Sequence, residues 1–247
     1  MITESFAGRL VYGQAFTEPF PMPFAKDFFD VGLFTNKADA LRAYYSDLGL
    51  PFDHTLKLGG GVLQHRYQAD QAVLKINDAR APLPPRIDNS PLAELIIASP
   101  KCTVPTTGVD PDGTPVRVVP PGHEGVEGLA MRLKVASLQT SRQFYMEALG
   151  LNEVSPGVMA CGRSLLLLEE TGIPPQPAAP LATLGLRYLT LQVSDCDASY
   201  AKALQAGATS GRAPETLGNT ARIAFVFDPD GVWIEISERA SVTGKAV

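Results

Sequence analysis

Apolar and polar positions near the start of the chain first alternate as a strand and then recur at helical spacing. Residues 31–35 have the strand pattern, and a helix follows with Asn36 as its candidate cap and Gly49 as its end. The apolar face of this helix is formed by Leu41, Tyr44, Tyr45 and Leu48. Three strand-like segments come next, at residues 51–58, 62–68 and 72–77. The pattern predicts a βαβββ module.

The same order returns twice later in the chain. One copy has a strand at 129–135, a helix that Ser137 can cap and Gly150 ends, and strands at 152–159 and 164–169. The last copy has a strand at 186–193, a helix at 195–206 that stops at Gly207, and strands from 223 to 236. Gly49 follows Asp30 by 19 residues and Gly207 follows Tyr188 by 19, so the copies are in register.

A shortened copy lies between the first and the later ones. It keeps a strand at 92–98 and a closing strand that ends at Val119, but Asp110 follows Glu94 by only 16 residues, whereas Asp228 follows Tyr188 by 40. The 24 missing residues correspond to a helix and a short hairpin. The second module is therefore predicted to be truncated.

A turn of sequence Asp-Pro-Asp-Gly opens two of the closing strands, at Asp110 and Asp228. Pro fixes one φ angle, Asp bonds to nearby backbone, and Gly accepts positive φ. After the second turn, Ile234 and Ile236 share one strand face and Glu235 takes the other. Arg117 stands in the first copy where Glu235 stands in the second.

Proline-rich connectors separate these modules and give the predicted domain boundaries. Residues 1–27 form an aromatic, proline-rich arm, residues 28–122 hold modules one and two, and residues 123–247 hold modules three and four. His123, which follows the joint at Pro120-Pro-Gly122, is interpreted as an exposed linker residue.

The composition of the chain argues against some classes of protein. The chain has 247 residues, 45% of them hydrophobic, and a formal net charge of −5 without a basic stripe, which argues against a nucleic-acid partner. No apolar run is long enough to cross a membrane, and no export signal precedes the body of the chain, so a cytoplasmic protein is expected. Cys102, Cys161 and Cys196 are widely spaced and are interpreted as reduced.

The order of these motifs resembles a known family. The helix end Phe144-Tyr-Met-Glu-Ala-Leu-Gly-Leu151 and the closing strand after Asp228-Pro-Asp-Gly231 are similar to those of the vicinal oxygen chelate superfamily, which includes glyoxalase I, bleomycin-resistance proteins and extradiol dioxygenases. The resemblance covers about residues 28–240. It implies an α+β fold in which tandem βαβββ modules form two curved mixed sheets around a cleft, with the helices outside.

The resemblance also implies a divalent metal site, but its usual ligand set is incomplete here. The corresponding positions in the C-terminal half are Ala130, Tyr188 and Glu235, of which only Glu235 is a usual ligand. In the N-terminal half, Asp30 and Glu94 lie on first strands, but Lys75 and Arg117 occupy the closing-strand positions and would repel a metal or pair with those two carboxylates. His65 could join Asp30 and Glu94 in an irregular site, or could simply be hydrogen-bonded on a half-buried strand.

A metal-free site is the alternative. On the predicted register, Arg132 and Lys134 share a cleft with Tyr188 and Glu235. Glu235 would then be a general base, Tyr188 a proton donor or oxyanion partner, and Arg132, Lys134 and Trp233 substrate-binding groups. Equally open at this point are an Arg132–Glu235 ion pair without chemistry and a Trp233 that only packs.

Two main functions follow. The first is an enzyme that acts on a small oxygenated metabolite by lyase, isomerase or ring-modifying chemistry, with a non-standard or metal-free site. The second is a binding protein in the style of bleomycin-resistance proteins, which holds a planar compound without converting it. A scaffold subunit of a larger assembly is a third. The expected partners are a small-molecule ligand and a second copy of the chain in a homodimer.

Overall fold

Two β-sheets built from four modules make up the described part of the chain. The computed structural model describes residues 24–174 and 178–247, so the predicted arm lies outside it up to residue 23, and residues 24–27 begin the first strand. The first module consists of β1 (Phe24–Thr35), α1 (Ala38–Asp47), β2 (Phe52–Gly59), β3 (Val62–Ala69) and β4 (Ala72–Ala79). The second consists of β5 (Leu92–Ala98), β6 (Thr106–Val109) and β7 (Pro115–Val119), and a short 3-10 turn follows at His123–Gly125.

The third and fourth modules are complete. The third consists of β8 (Leu129–Val135), α2 (Leu138–Glu147), β9 (Asn152–Ser155), β10 (Val158–Cys161) and β11 (Ser164–Glu170). The fourth consists of β12 (Gly185–Val193), α3 (Cys196–Gln205), β13 (Thr209–Leu217), β14 (Ala221–Phe227), β15 (Trp233–Arg239) and the terminal α4 (Ala240–Thr243). The α+β fold of repeated modules is confirmed, and so is the missing helix of the second module.

The modules pair in an order that the sequence did not indicate. The eight-stranded sheet runs β13-β14-β15-β12-β1-β4-β3-β2, and the seven-stranded sheet runs β6-β7-β5-β8-β11-β10-β9. The first module therefore joins the fourth, with Asp30 opposite Thr190 and Gly32 opposite Tyr188, and the second joins the third. The prediction of a cleft formed by the third and fourth modules alone is wrong, because the first strands of these two modules lie in different sheets.

Several local predictions differ from the structure. The strand predicted at 152–159 is a hairpin of β9 and β10, because Pro156 and Gly157 form its turn. Strands β6 and β13 were not predicted, since most of their residues are exposed and carry no apolar alternation. Helix α1 begins without a side-chain cap, because Asn36 instead donates to the carbonyl oxygens of Ala79 and Ala81.

A continuous apolar core lies between the convex faces of the sheets and the helices. It takes Ile234 and Ile236 from β15, Leu41 and Tyr45 from α1, and Tyr145 from α2, all fully buried. Cys161 and Cys196 are buried free thiols, and burial raises the pKa of each to about 12. Among residues 24–174 and 178–247, no helix is both long and apolar enough to cross a lipid bilayer.

The two Asp-Pro-Asp-Gly turns connect the modules that the sheets do not pair: the second with the first, and the fourth with the third. Asp228 Oδ1 accepts the backbone N–H groups of Asp230 and Val232 at 2.9 and 2.7 Å, and its Oδ2 accepts the hydroxyl of Tyr145 from α2 at 2.8 Å. Asp110 likewise accepts the hydroxyl of Tyr45 from α1 at 2.9 Å. Each closing turn is thus bonded to the helix of the preceding module, so the sheets and the turns together link all four modules.

The buried turn predicts a pH-dependent stability. Burial raises the pKa of Asp228 to about 7, although its three hydrogen-bond donors act in the opposite direction. The folded pKa exceeds the unfolded value of about 3.9, so the folded state keeps the proton longer and stability falls as pH rises from about 4 to about 7. Asp228→Asn should remove this contribution, by up to about 1.4 kcal/mol per pH unit, in urea unfolding measured across that range.

The exposed Asp39→Asn serves as the control and should follow the wild type at every pH. Equal pH profiles for the wild type and Asp228→Asn would show that the Asp228 carboxyl titrates alike in the folded and unfolded states.

Candidate functional site

A cavity of about 210 Å³ opens on the concave face of the eight-stranded sheet. Its walls are mainly apolar and include Phe34, Val62, Leu181, Ile223 and Phe225. Its polar lining comes from seven side chains: Gln64, Lys75, Asn77, Tyr188, Arg212, Glu235 and Arg239. A concave, mostly apolar pocket with a few convergent polar groups is the usual form of a small-molecule site.

Strand alternation places these polar groups on one face. Residues paired across neighbouring strands point to the same side of a sheet. Gly32 of β1 pairs with Lys75 of β4, and Thr190 of β12 pairs with Glu235 of β15. The pairing of β1 with β12 then brings the Lys75 and Glu235 strands to either side of a common centre. A first-module residue therefore completes the site of the fourth module.

Lys75 and Glu235 form a buried ion pair at the centre of the floor. Lys75 Nζ lies 2.8 Å from Glu235 Oε2 and donates to Thr190 Oγ1 at 2.6 Å. Thr190 in turn donates to the same Glu235 oxygen at 2.6 Å. The Lys75 side chain is only 1% exposed and that of Glu235 9%. Both hydrogen bonds go to Oε2, and Oε1 receives none from the described residues.

The pKa values of Lys75 and Glu235 are set by burial and by the charges around them. Burial acts to raise the pKa of Glu235, but Lys75, the hydrogen bond from Thr190 and the charge of Arg239 together outweigh it, so the pKa ends below its usual range and the carboxylate stays ionised. Burial lowers the pKa of Lys75, and the charge of Glu235 opposes this shift only in part. Each group is charged because the other is present.

Tyr188 lies directly over Gly32. A Cβ atom at Gly32 would come within 2.0 Å of the tyrosine ring, so only glycine permits this arrangement. The ring centroid is 5.5 Å from Lys75 Nζ, and Asn77 Nδ2 donates to the Tyr188 hydroxyl at 3.1 Å. Burial, followed by the charge of Glu235, raises the pKa of Tyr188 far above its usual value. The hydroxyl is therefore a neutral phenol with its proton available to a ligand.

Further polar side chains extend the floor toward one end of the sheet. Asp30 accepts hydrogen bonds from Lys26 at 2.7 Å, from Gln192 at 3.0 Å and from the Val73 backbone at 3.0 Å. Arg66 donates to Gln64 at 2.9 Å. Asp30 is thereby occupied by its own partners, not by Lys75.

The structure brings together only part of the predicted site. Tyr188 and Glu235 do line one cavity. Arg132 and Lys134 do not, because β8 belongs to the seven-stranded sheet: Arg132 pairs with Glu94 at 3.3 Å, and Lys134 is exposed. The alternative Arg132–Glu235 ion pair is wrong for the same reason.

The concave face of the seven-stranded sheet carries a small apolar cluster. Val126, from the segment after the 3-10 turn, packs there in a buried cluster with Ala130, Ile96 and Val119. Arg117 pairs with Glu124 at 2.9 Å instead of with Glu94. Both cations on closing strands thus have carboxylate partners other than those expected from the sequence.

The remaining predicted residues have structural contacts. Trp233 donates from its indole N–H to the carbonyl oxygen of Ala179 at 2.8 Å and packs on Phe225 and Phe227. His65 pairs with Ile76, so it faces the core side of β3, and its Nδ1 is 2.8 Å from the Thr55 hydroxyl. The irregular site of His65, Asp30 and Glu94 is wrong, because the three lie on different faces or sheets.

The residues at the cavity floor do not fit a divalent metal. No group of three or more His, Cys, Asp or Glu side chains that could hold one occurs in residues 24–174 and 178–247. At the centre, the Lys75 ammonium donates a hydrogen bond to Glu235 Oε2, and Gly32 and Thr190 supply no imidazole or carboxylate. A positive charge at this point opposes the binding of a second cation.

Comparisons with known proteins agree with this architecture. Residues 125–236 match the family model of the Glyoxalase/Bleomycin resistance protein/Dioxygenase superfamily. A search of curated proteins found no match.

Solved structures of low sequence identity share the fold over most of the chain. A glyoxalase I variant from Zea mays has 16% identity and a TM-score of 0.70, covering 88% of this chain and 95% of its own. A candidate dioxygenase from Bacillus subtilis has 10% identity and a TM-score of 0.60, covering 92% and 91%. The cppA protein from Streptococcus pneumoniae has 13% identity and a TM-score of 0.52, covering 88% and 99%.

The buried pair predicts a strong asymmetry between single and double substitutions. Lys75→Met leaves Glu235 buried without its cation and should lower the free energy of unfolding by about 3 kcal/mol or more. Lys75→Met/Glu235→Met should recover much of that loss, since no charge remains buried. Urea unfolding of both variants measures the difference.

Arg117→Met is the matched control, because its pair with the half-exposed Glu124 should contribute about 1 kcal/mol or less. A double variant less stable than Lys75→Met would contradict a mutual dependence of the two charges.

The contact between Gly32 and Tyr188 gives a second prediction. Gly32→Ala must displace the tyrosine ring, so it should destabilise the fold and weaken any ligand that contacts the Tyr188 hydroxyl. Gly108→Ala, where the nearest atom to the new Cβ is 3.8 Å away, should leave stability unchanged within about 0.5 kcal/mol. Thermal unfolding of both variants compares them, and equal behaviour would show that the ring can move freely.

Proposed function

We propose that this chain, whose residues 125–236 match the family model of the Glyoxalase/Bleomycin resistance protein/Dioxygenase superfamily, binds a small carbonyl compound in the cleft of the eight-stranded sheet and transfers a proton on it without a metal. The observation that carries the proposal is the Lys75–Glu235 pair at the bottom of an apolar cavity. It places a fixed positive charge and a carboxylate side by side where a ligand would sit. The reaction class is an isomerase or a lyase.

Lys75 and Tyr188 supply the electrophilic part of this site. The ammonium group uses one N–H for Thr190 and one for Glu235, which leaves its third for a carbonyl oxygen. The Tyr188 hydroxyl accepts from Asn77 and still has its own proton to donate. Two donors held in a mostly apolar cavity would stabilise the negative charge that develops on the oxygen of an enolate.

Glu235 supplies the base. Its Oε1 receives no hydrogen bond from the described residues, so it is the oxygen that can remove a proton from the carbon next to the bound carbonyl. The resulting enolate is neutralised by Lys75. Where the carbon that lost its proton carries a hydroxyl, the hydroxyl proton passes to the former carbonyl oxygen and Glu235 returns its proton to the former carbonyl carbon, which completes an isomerisation. Where the β-carbon carries a leaving group, that group departs with the electron pair of its bond, which completes an elimination.

Sequestration without chemistry is the second candidate. It is favoured by one observation: the lowered pKa of Glu235 makes it a weak base. A site of this kind would hold a planar compound between Phe225, Ile223 and Val62 and release it unchanged. Formation of a homodimer and a cytoplasmic location remain predictions in either case.

Exchange of carbon-bound hydrogen separates the two functions. A panel of small ketones, aldehydes and 2-oxo acids is first screened by thermal shift, and compounds that bind are incubated with the protein in D₂O. The proposal expects deuterium at the carbon next to the carbonyl, seen by NMR, with loss of exchange in Glu235→Gln and slower exchange in Tyr188→Phe. Tight binding without exchange would favour sequestration.

Chelator treatment tests the metal-free part of the proposal. Exchange should be the same before and after dialysis against EDTA, and protein purified without chelator should carry no stoichiometric metal. Exchange that EDTA abolishes and a divalent ion restores would contradict the role assigned to Lys75. Lys134→Gln, on the other sheet, is the control and should exchange as the wild type does.

A further inference from the structure

We propose that the ligand of this cavity is a carboxylic acid whose carboxylate binds to Arg239, with the charge of Arg66 in support, which makes a 2-oxo acid with an apolar body the substrate class. This inference rests on the proposed function, since it concerns the same cavity. It adds the group that anchors the ligand and the direction in which the ligand lies.

The charges on the concave face of the eight-stranded sheet do not balance. Its buried and half-buried cations are Lys26, Lys75, Arg66 and Arg239, and its buried anions are Asp30 and Glu235, while the exposed Arg212 of the cavity wall pairs with Glu215 at 3.8 Å. Lys26 pairs with Asp30 and Lys75 pairs with Glu235. Four positive and two negative charges leave an excess of two, and that excess is carried by the two arginines.

Arg239 lines the cavity beside Glu235. Two positions separate it from Ser237 and four from Glu235 along β15, so all three share the concave face. Its Nε is buried without a hydrogen-bond partner, and no carboxylate of the described residues lies within ion-pair distance of the guanidinium. Burial, and after it the like charge of Arg66, lower the pKa of Arg239. An uncompensated guanidinium in this position is costly without an anion.

Arg66 is even more deeply buried, with 5% of the residue exposed. It lies opposite Lys75 on the neighbouring strand and donates to the neutral Gln64. No carboxylate of the described residues pairs with it either. Arg66 is not among the residues that line the cavity, so its charge adds to the positive potential at Arg239, whose planar guanidinium can donate two hydrogen bonds to one carboxylate.

The opposite end of the cavity is apolar. Phe34, Tyr188 and Phe225 pack against one another there, with ring centroids 6.4 and 6.1 Å apart along the series. Tyr188 is level with Trp233 at the start of β15 and Arg239 is at its end, so Glu235 lies between them along the strands. A ligand with its carboxylate at Arg239 and its apolar body at the rings would place the carbon next to the carboxylate over Lys75 and Glu235. A keto group at that carbon is the one that the proposed proton transfer requires.

Titration calorimetry with phenylpyruvate and its methyl ester tests the anchor. The wild type should bind the acid more tightly than the ester by about tenfold or more, the size expected for hydrogen bonds to a charged group. Arg239→Gln should remove most of this preference and leave the affinity for the ester unchanged. Arg239→Lys should retain part of this preference. Arg132→Gln, which removes a half-buried arginine of the other sheet, should retain all of it.

The outcomes distinguish this inference from the proposed function. Equal affinity of the wild type for acid and ester would overturn the carboxylate anchor and leave the carbonyl site standing. An Arg239→Gln variant that keeps its melting temperature and its full preference for the acid would do the same. Binding of neither compound would overturn the inference alone, because the wider panel of ketones and aldehydes tests the cavity separately.

Discussion

The buried ion pair between Lys75 and Glu235 is the interaction on which the site depends. It joins β4 of the first module to β15 of the fourth, so it exists only when the two ends of the described chain meet in one sheet. Its burial makes each charge depend on the other, since either alone would face a large desolvation cost. The same pair fixes a cation at the base of the cavity, where its charge opposes the binding of a metal ion.

The wider architecture holds that pair in position. The sheets join the first module to the fourth and the second to the third, whereas the buried turns at Asp110 and Asp228 bond to tyrosines of the first and third modules. Each of the four modules therefore contacts two others, one through a sheet and one through a turn. The concave face of the other sheet differs, because Val126 and its neighbours form a buried apolar cluster on it.

Much of the fold could be predicted from local sequence, but the site could not. Alternation along 129–135 and 186–193 and the spacing of helix-ending glycines are local signals, and they located the strands and the truncated module. The pairing of β1 with β12 is a long-range contact without such a signal. The local pattern therefore predicts the wrong partner for Glu235, Arg132, although Lys75 is visible in the sequence as a cation at a closing-strand position. Gly32 looked unremarkable in sequence, because only the structure shows that Tyr188 lies over it.

The charge state of Lys75 is the most direct test of the buried ion pair with Glu235. In ¹⁵N NMR of lysine-labelled protein, the account predicts a protected, slowly exchanging ammonium resonance for Lys75 at neutral pH, identified by its loss in Lys75→Met. That resonance should shift or exchange faster in Glu235→Gln and stay unchanged in Arg117→Met. A neutral amine at Lys75, or an ammonium signal that Glu235→Gln does not alter, would contradict the account.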